Sequence, residues 1–187
     1  RSFTVHKSVQ QVAETMERIF VTDYAAGNDP HCIWLSGGTI LKQVKGRDEL
    51  DFYLDYVRAV RERVGSRWPI VLQSAAKNKK DCKRMSDAGV TNHNANIEVW
   101  DKELFRIICP GKESLVGYDE WIKRVIESVE VFGEGIVCPN LVVGVETCQP
   151  WGFKSIDEAV KSTLAGLDYL MAHGVTPRVT PWCVEPL

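Results

Sequence analysis

Amphipathic segments and short apolar runs alternate along the chain, and this alternation limits the possible folds more than any other feature. The apolar runs typical of buried strands are 32–38, 69–75, 90–99, 136–146 and 176–186. The segments whose apolar residues recur at helical spacing are 8–24, 47–64, 78–88, 101–108, 118–131 and 155–172. Because at least one helical segment separates successive strands, the pattern predicts right-handed βαβ units and a parallel sheet.

The order of these segments favours a curled sheet over an open, doubly wound one. A complete eight-stranded barrel needs about 250 residues, and this chain has 187. The fingerprint G-x-G-x-x-G of dinucleotide-binding sheets is absent, and the first segment is a helix that no strand precedes. We therefore predict an α/β fold, a partial TIM-like (βα) barrel with parallel strands and its first strand missing, in one domain over residues 1–187. We expect the chain to be a piece of a longer enzyme.

Composition excludes several classes of partner. The formal charge of −2 and the pI near 6.1 argue against a nucleic-acid footprint, and the basic run 77–84 is interpreted as a solvated helix start. No window reaches 18 consecutive apolar residues and no signal segment opens the chain, so we expect a cytoplasmic protein without a membrane partner. The six cysteines are too far apart for a C-x₂-C pair, so no local spacing indicates zinc or an iron–sulfur cluster.

The stretch TNHNANIEVW, residues 91–100, is unusually polar for a predicted strand. Side chains alternate faces along a strand, so Asn92, Asn94, Asn96 and Glu98 share one face and the residues between them share the other. An unpaired buried amide costs about 1–3 kcal/mol, so the amide row needs partners. Either a ligand inside the barrel or a purely structural amide ladder satisfies this requirement.

Other polar residues fall near the predicted strand ends, where α/β folds place their ligand sites. The same parity predicts Asn140, Gly144 and Glu146 on one face of their strand, and Arg178 and Thr180 on one face of the last strand. In the second strand Gln73 lies on the face opposite to Leu72, and the turn SGGT (36–39) stands at the end of the first. Glu98 and Glu146 could act as an acid/base pair if they converge, or each could bind a ligand or a cation. Hydrolase and metalloprotease motifs are absent.

Three motifs in this order, WLSGGT, TNHNANIE and NLVVGVE, resemble the core of the radical S-adenosylmethionine enzymes. The nearest branch contains biotin synthase, a hydrogenase maturase and methylornithine synthase. The resemblance implies binding of S-adenosylmethionine and, with a [4Fe–4S] cluster and an electron-donor protein, its reductive cleavage to a 5′-deoxyadenosyl radical that acts on a small-molecule substrate.

The resemblance also implies roles for individual residues. The glycine turn would contact the methionyl amine. Asn94 and Asn96 would bind the ribose, with Asn92 supporting them, and the backbone of the fifth strand would contact the adenine. The implied cofactor-binding residues are Ser36, Gly37, Gly38, Thr39, Asn92, Asn94, Asn96, Glu98, Val143, Gly144 and Val145. The candidates for contact with the substrate are Gln73, Asn140, Arg178 and Thr180; Glu98, Lys112, Arg178 and Thr180 are also candidates for the methionyl carboxylate.

The chain departs from the family pattern at three points. Glu146 comes one residue earlier after Gly144 than the acid of the family's fifth-strand motif. Thr39 stands where the family's glycine turn has an acidic residue, and the C-x₃-C-x₂-C loop that binds the cluster is absent. We expect that loop to lie before Arg1 in the parent protein, so that this chain alone is inactive. The first alternative is a degenerate, cluster-less barrel that binds a nucleoside or a protein. The second is an aldolase-type barrel, which needs a Schiff-base lysine, whereas Lys42 and Lys112 are predicted on loops.

Overall fold

The computed structural model describes residues 7–27, 30–37, 39–44 and 46–183. Its helices are α1 Val9–Glu17, α2 Glu49–Val64, α3 Lys79–Asp87, α4 Lys102–Ile108, α5 Pro110–Leu115, α6 Tyr118–Phe132 and α7 Ile156–Ala172. Its strands are β1 Ile33–Ser36, β2 Ile70–Gln73, β3 Asn92–Asn94, β4 Asn140–Val143 and β5 Arg178–Pro181. A π-helical turn, Arg18–Asp23, extends α1, and a 3₁₀ turn, Val145–Thr147, follows β4.

Polar side chains set where the main helices begin. Ser8, Asp48, Asn78, Asp101 and Ser155 each accept a hydrogen bond from a backbone amide in the first turn of the helix that follows. Such caps satisfy amides that have no partner inside the helix and contribute about 1 kcal/mol each. None of the described helices is both long enough and apolar enough to cross a lipid bilayer.

All five strands run parallel and stand side by side in their sequence order. β2 pairs with β1 and β3, and β4 pairs with β5. The segment after β3 joins the two sheets, since Ile97 N and Glu98 N each donate to Asn140 O at 3.0 Å and Val142 N donates to Glu98 O at 2.6 Å. Strand order that never reverses is the order of a (βα) barrel and not of a doubly wound sheet.

The sheet also curls. Five strands in a flat sheet would place the first and last about 19 Å apart, yet the guanidinium carbon of Arg178 in β5 lies 4.8 Å from the ring centroid of Trp34 in β1. Side chains of the first and last described strands therefore meet across a concave face. The predicted α/β fold with a partial, parallel, barrel-like sheet is confirmed, and within the described residues the arc is open.

Each described strand is shorter than the run that predicted it, and in β3 and β4 the early end moves polar residues. β3 ends at Asn94 instead of 99, and Glu98 takes a left-handed conformation with φ 70°. β4 ends at Val143 because Gly144 turns the chain with φ 97°. The turn removes Glu146 from the polar face on which parity placed it. Glu146 is instead buried, accepting from Gly144 N at 3.0 Å and from the hydroxyl of Thr163.

The predicted loop at Pro110 is a helix. Proline fits the first turn of a helix because its missing amide hydrogen would have no partner there, and α5 starts at Pro110. Lys112 therefore lies on a helix, which corrects its placement on a loop; Lys42 does lie on a loop.

The helices cover the convex face of the arc and form the core there. The residues of β1 and β2 that face the helices pack in one cluster with apolar residues of α1, α2 and α3. They are Ile33, Leu35, Ile70 and Leu72. Ala95, Ile97 and Leu141 pack in a second cluster with residues of α4, α6 and α7. The opposite faces of the same strands are left for the concave surface, which is where the polar residues lie.

His93 lies on the buried convex face, as parity predicts, and makes stability depend on pH. It is 2 % exposed, its Nε2 lies 3.1 Å from Ser74 Oγ, and burial, with a smaller contribution from Lys77, lowers its pKa to about 3. In the unfolded chain the imidazole of His93 is protonated below about pH 6.5, whereas in the folded chain it stays neutral until near pH 3. Stability present above pH 6.5 is therefore lost as the pH falls.

We expect His93 to remove up to about 2 kcal/mol of unfolding free energy between pH 6 and pH 4.5. Urea denaturation at several pH values measures this slope in the unsubstituted chain and in His93→Gln, which should be flatter by that amount. His173→Gln, at an exposed histidine, is the control and should keep the original slope. Equal slopes for the unsubstituted and His93→Gln chains would contradict the assignment.

Candidate functional site

The concave face carries a polar row at the carboxyl ends of the first three strands. In the register of the sheet Ser36 stands beside Gln73, and Gln73 beside Asn94. One layer lower, Trp34 stands beside Val71, and Val71 beside Asn92. On the other arm of the arc Asn140 pairs with Arg178, and Val142 with Thr180. The fold thus brings the predicted residues of β1, β2, β3, β4 and β5 onto one surface.

Much of this surface is already hydrogen-bonded internally. With the Asn94 amide oriented to match donors with acceptors, its nitrogen donates to Asn92 Oδ1 at 2.6 Å and to Cys138 O at 3.2 Å, and its oxygen accepts from Arg178 Nη2 at 3.0 Å. Trp34 Nε1 donates to Gln73 Oε1 at 3.2 Å. Asn140 Nδ2 donates to Thr180 Oγ1 at 2.9 Å. Asn92 and Asn94 thus form part of a structural amide network, the second of the two possibilities that their spacing raised.

A second polar group lies after β3, where the chain leaves the sheet. Asn96 Oδ1 accepts from Asn140 N at 3.2 Å, so this side chain takes the place of a missing backbone partner between β3 and β4. Glu98 Oε1 accepts from Lys112 Nζ at 2.6 Å, and the same Nζ donates to Asn96 O at 2.7 Å. Glu98 and Glu146 therefore each have their own partner, and no described contact joins them as an acid/base pair.

The glycine turn after β1 rests on an aromatic side chain. A Cβ on Gly37 would lie 2.5 Å from the hydroxyl oxygen of Tyr53, so only glycine fits there without displacing the ring. Burial, reinforced by the charge of Glu49, raises the pKa of Tyr53 to about 12. Beside the turn lies a cavity of about 430 Å³, lined by Ser36, Gly37 and mainly apolar residues of α1 and α2. Gly38 lies outside the described residues, and Thr39 follows it on the loop.

A buried carboxylate, which the sequence pattern did not single out, ties this turn to the next loop. Glu49, the first residue of α2, is 5 % exposed. Its Oε1 accepts from Ile40 N at 3.0 Å, and its Oε2 accepts from Ala75 N at 3.2 Å and from Lys77 Nζ at 2.5 Å. Glu49 therefore joins the loop after β1 to the loop after β2. The acidic start of α2 at Asp48 and Glu49 was the only local signal, and helix starts commonly carry acids.

The backbone at the end of β4 makes contacts of its own. Val143 O accepts from Trp182 N at 2.9 Å, and Gly144 N donates to the carboxylate of Glu146. Val145 is buried in the second core cluster. The turn at Gly144 is thus held rigidly at the carboxyl edge of the sheet, where a flat ligand could pack; the adenine contact itself stays a prediction.

The described residues do not fit an iron–sulfur cluster. Among residues 7–27, 30–37, 39–44 and 46–183, no three of the His, Cys, Asp and Glu side chains are grouped to hold a metal ion. Cys82 and Cys109 are buried as free thiols, and burial raises the pKa of Cys82 to about 12. A thiol held protonated is a poor metal ligand, because the thiolate is the form that binds.

Known proteins resemble this chain in fold but not in sequence. No family model and no curated protein matches the sequence. Among solved structures, HydG, a maturase of the [FeFe]-hydrogenase, matches with a TM-score of 0.60 at 14 % identity, over 100 % of this chain and 37 % of HydG. A radical SAM methyltransferase from Sphaerobacter thermophilus matches with a TM-score of 0.54 at 16 % identity, over 97 % of this chain and 58 % of the methyltransferase.

This chain shares their fold. At 14 % and 16 % identity, the likeness shows a shared fold and no shared function. This fold is the one that the resemblance of the three motifs implies. The chain spans less than two thirds of either protein's length, so the activity of a whole protein of this kind is a matter for proposal.

Proposed function

We propose that the carboxyl edge of this sheet binds S-adenosylmethionine and that the chain is the core of a radical S-adenosylmethionine enzyme of the biotin synthase-like branch. The observation that carries the proposal is that the arc brings the three motifs, far apart in sequence, to one edge. Ser36 ends β1 and Gly37 follows it, Asn96 and Glu98 follow β3, and Gly144 follows β4. The shared fold with HydG and the methyltransferase supports it.

The geometry suggests how each part of the ligand would be held. The methionyl amine would meet the turn from Ser36 to Thr39, and the adenine would lie against the backbone from Val143 to Val145. For the ribose, Asn96 and Glu98 are better placed than Asn94, because Asn94 already serves Arg178, Asn92 and the Cys138 carbonyl. A carboxylate can accept hydrogen bonds from both ribose hydroxyls.

The reacting group would come from the cofactor, and the protein would orient it. S-adenosylmethionine, when bound, supplies the adenosyl group for radical chemistry. The chain's own residues would fix the sulfonium end against the glycine turn and exclude water from the concave face. Gln73, Asn140, Arg178 and Thr180, which line that face, are the proposed contacts of a small-molecule substrate. Because the described residues do not fit a [4Fe–4S] cluster, the cluster and an electron-donor protein are proposed only for a longer protein that supplies the three cysteines.

Binding of S-adenosylhomocysteine, which needs no cluster, tests the cofactor site. We expect Asn94→Ala with Asn96→Ala to abolish the binding that calorimetry detects with the unsubstituted full chain. The same double substitution should also cost about 2–4 kcal/mol of stability, because each amide satisfies buried groups, so the chain must be shown to be folded at the assay temperature. Gln10→Ala, at an exposed amide of α1, is the control. Unchanged affinity in the folded double variant would count against the ribose assignment.

A separate measurement distinguishes an enzyme from a binding module. Formation of 5′-deoxyadenosine by the anaerobically reconstituted and reduced full-length protein is expected for the enzyme. Binding of the nucleoside without any cleavage by that protein would favour the cluster-less alternative.

A further inference from the structure

The ion pair of Lys112 with Glu98 stands out among the ion pairs because it lies inside the candidate site and is largely enclosed. The side chains of Lys112 and Glu98 are 15 % and 26 % exposed, whereas most other pairs join surface side chains. Lys112 comes from α5, a six-residue helix that buries no residue of its own. From this helix, Lys112 reaches the candidate site.

Two of the three donors of Lys112 bind groups of this chain. Nζ has three N–H groups. Two reach Asn96 O at 2.7 Å and Glu98 Oε1 at 2.6 Å, and the ammonium also lies 5.1 Å from the ring centroid of Trp121. An ammonium over a tryptophan face is attracted by the ring's quadrupole. Two of the three donors are therefore used within the chain, which leaves Lys112 at most one for a ligand carboxylate.

The groups that Lys112 holds lie where the chain has left the regular strand β3. Residues 95–98 leave the β3 ladder, and Glu98 has a left-handed backbone, which is strained in a residue with a side chain. The Asn96 carbonyl is fixed by Lys112, and the Asn96 side chain by Asn140 N. Removing Lys112 would free both the carbonyl and the carboxylate at the point where the ribose is proposed to bind.

We propose that Lys112 is a positioning residue: it holds Glu98 and Asn96 in the geometry that accepts the ribose hydroxyls, without touching the ligand itself. This inference rests on the proposed function. Through Lys112, α5 would hold the nucleoside site in its binding geometry before the ligand binds. Less conformational entropy would then be lost on binding.

A double-substitution cycle on the full chain tests the proposal, with S-adenosylhomocysteine as the probe and calorimetry as the readout. Lys112→Met keeps the length and apolar stem of the side chain without its charge, and we expect its Kd to rise about tenfold or more. Glu98→Gln should also raise the Kd. Because Lys112 acts in part through Glu98, the two effects should not add: the double variant should bind more tightly than the product of the two single effects predicts. A purely structural role would not produce this coupling.

The control is Lys102→Met, which breaks the exposed pair with Asp119 near the same helices and should leave the Kd unchanged. If Lys112→Met does not fold, Lys112→Gln, whose amide retains a donor for the Asn96 carbonyl, takes its place in the cycle. A Kd unchanged by Lys112→Met, or effects of Lys112→Met and Glu98→Gln that simply add, would overturn this inference alone. Absence of binding to the unsubstituted chain would overturn the proposed cofactor site and this inference with it.

Discussion

Replacing Glu49 with alanine is expected to lower the free energy of unfolding by about 3–5 kcal/mol, the usual cost of removing one partner of a buried ion pair. The carboxylate neutralises Lys77, which is itself only 14 % exposed, and accepts from the backbone amides of Ile40 and Ala75. Alanine would leave the ammonium and two amides without these partners. Because the loops after β1 and β2 are joined through this one side chain, both should loosen together.

Urea denaturation with hydrogen exchange measures the global and the local parts of this effect. Glu49→Gln, which can still accept from an amide but carries no charge, should fall between alanine and the unsubstituted chain. Glu130→Ala, which breaks the exposed pair of Glu130 with Lys79, should cost less than about 1 kcal/mol. Similar losses for Glu49→Ala and Glu130→Ala would show that Glu49 is not the link between the loops.

Trp121→Ala is the second substitution with a large expected effect, a loss of about 3–5 kcal/mol. Trp121 is fully buried in the second core cluster and packs against Phe105. Its Nε1 donates to Ala95 O at 3.3 Å, and its ring lies under the ammonium of Lys112. The residue thus supports, from the core side, the same segment that carries Asn96 and Glu98.

Thermal or urea unfolding checks this expectation. Trp121→Phe, which keeps an aromatic ring but loses the hydrogen bond to Ala95, should lose less stability than alanine. Trp151→Ala, at a tryptophan that is 60 % exposed, should change the free energy of unfolding by less than about 0.5 kcal/mol. A Trp121→Ala variant as stable as Trp151→Ala would contradict the packing described for α6.

The sequence correctly predicted which side chains of the third strand segment face the core. His93, Ala95, Ile97 and Val99 are buried, as the alternation in TNHNANIEVW indicates, although the regular strand ends at Asn94. The alternation of buried and polar residues continues past the strand because burial of apolar side chains is favourable whether or not the backbone is paired in the sheet. The same reasoning was wrong for Glu146, since one glycine with positive φ turned the chain and sent the carboxylate into the interior.

The partners of the charged groups could not be predicted. Nothing in the sequence near Glu49 points to Lys77, and nothing near Glu98 points to Lys112, because these residues are brought together by loops and helices that lie between them. The curl of the sheet was predicted from the order of the segments, and the contact between Arg178 and Trp34 confirms it.

By itself, the sequence determined the alternation of helices and parallel strands and the existence of one polar face, because periods of 3.6 and 2 residues are local properties of the backbone. Only the tertiary structure decided which polar residues on that face hold each other and which remain for a ligand. The physical reason is that a hydrogen bond or an ion pair depends on a distance of about 3 Å in space, and for residues far apart in the chain that distance is set by the packing of the whole domain.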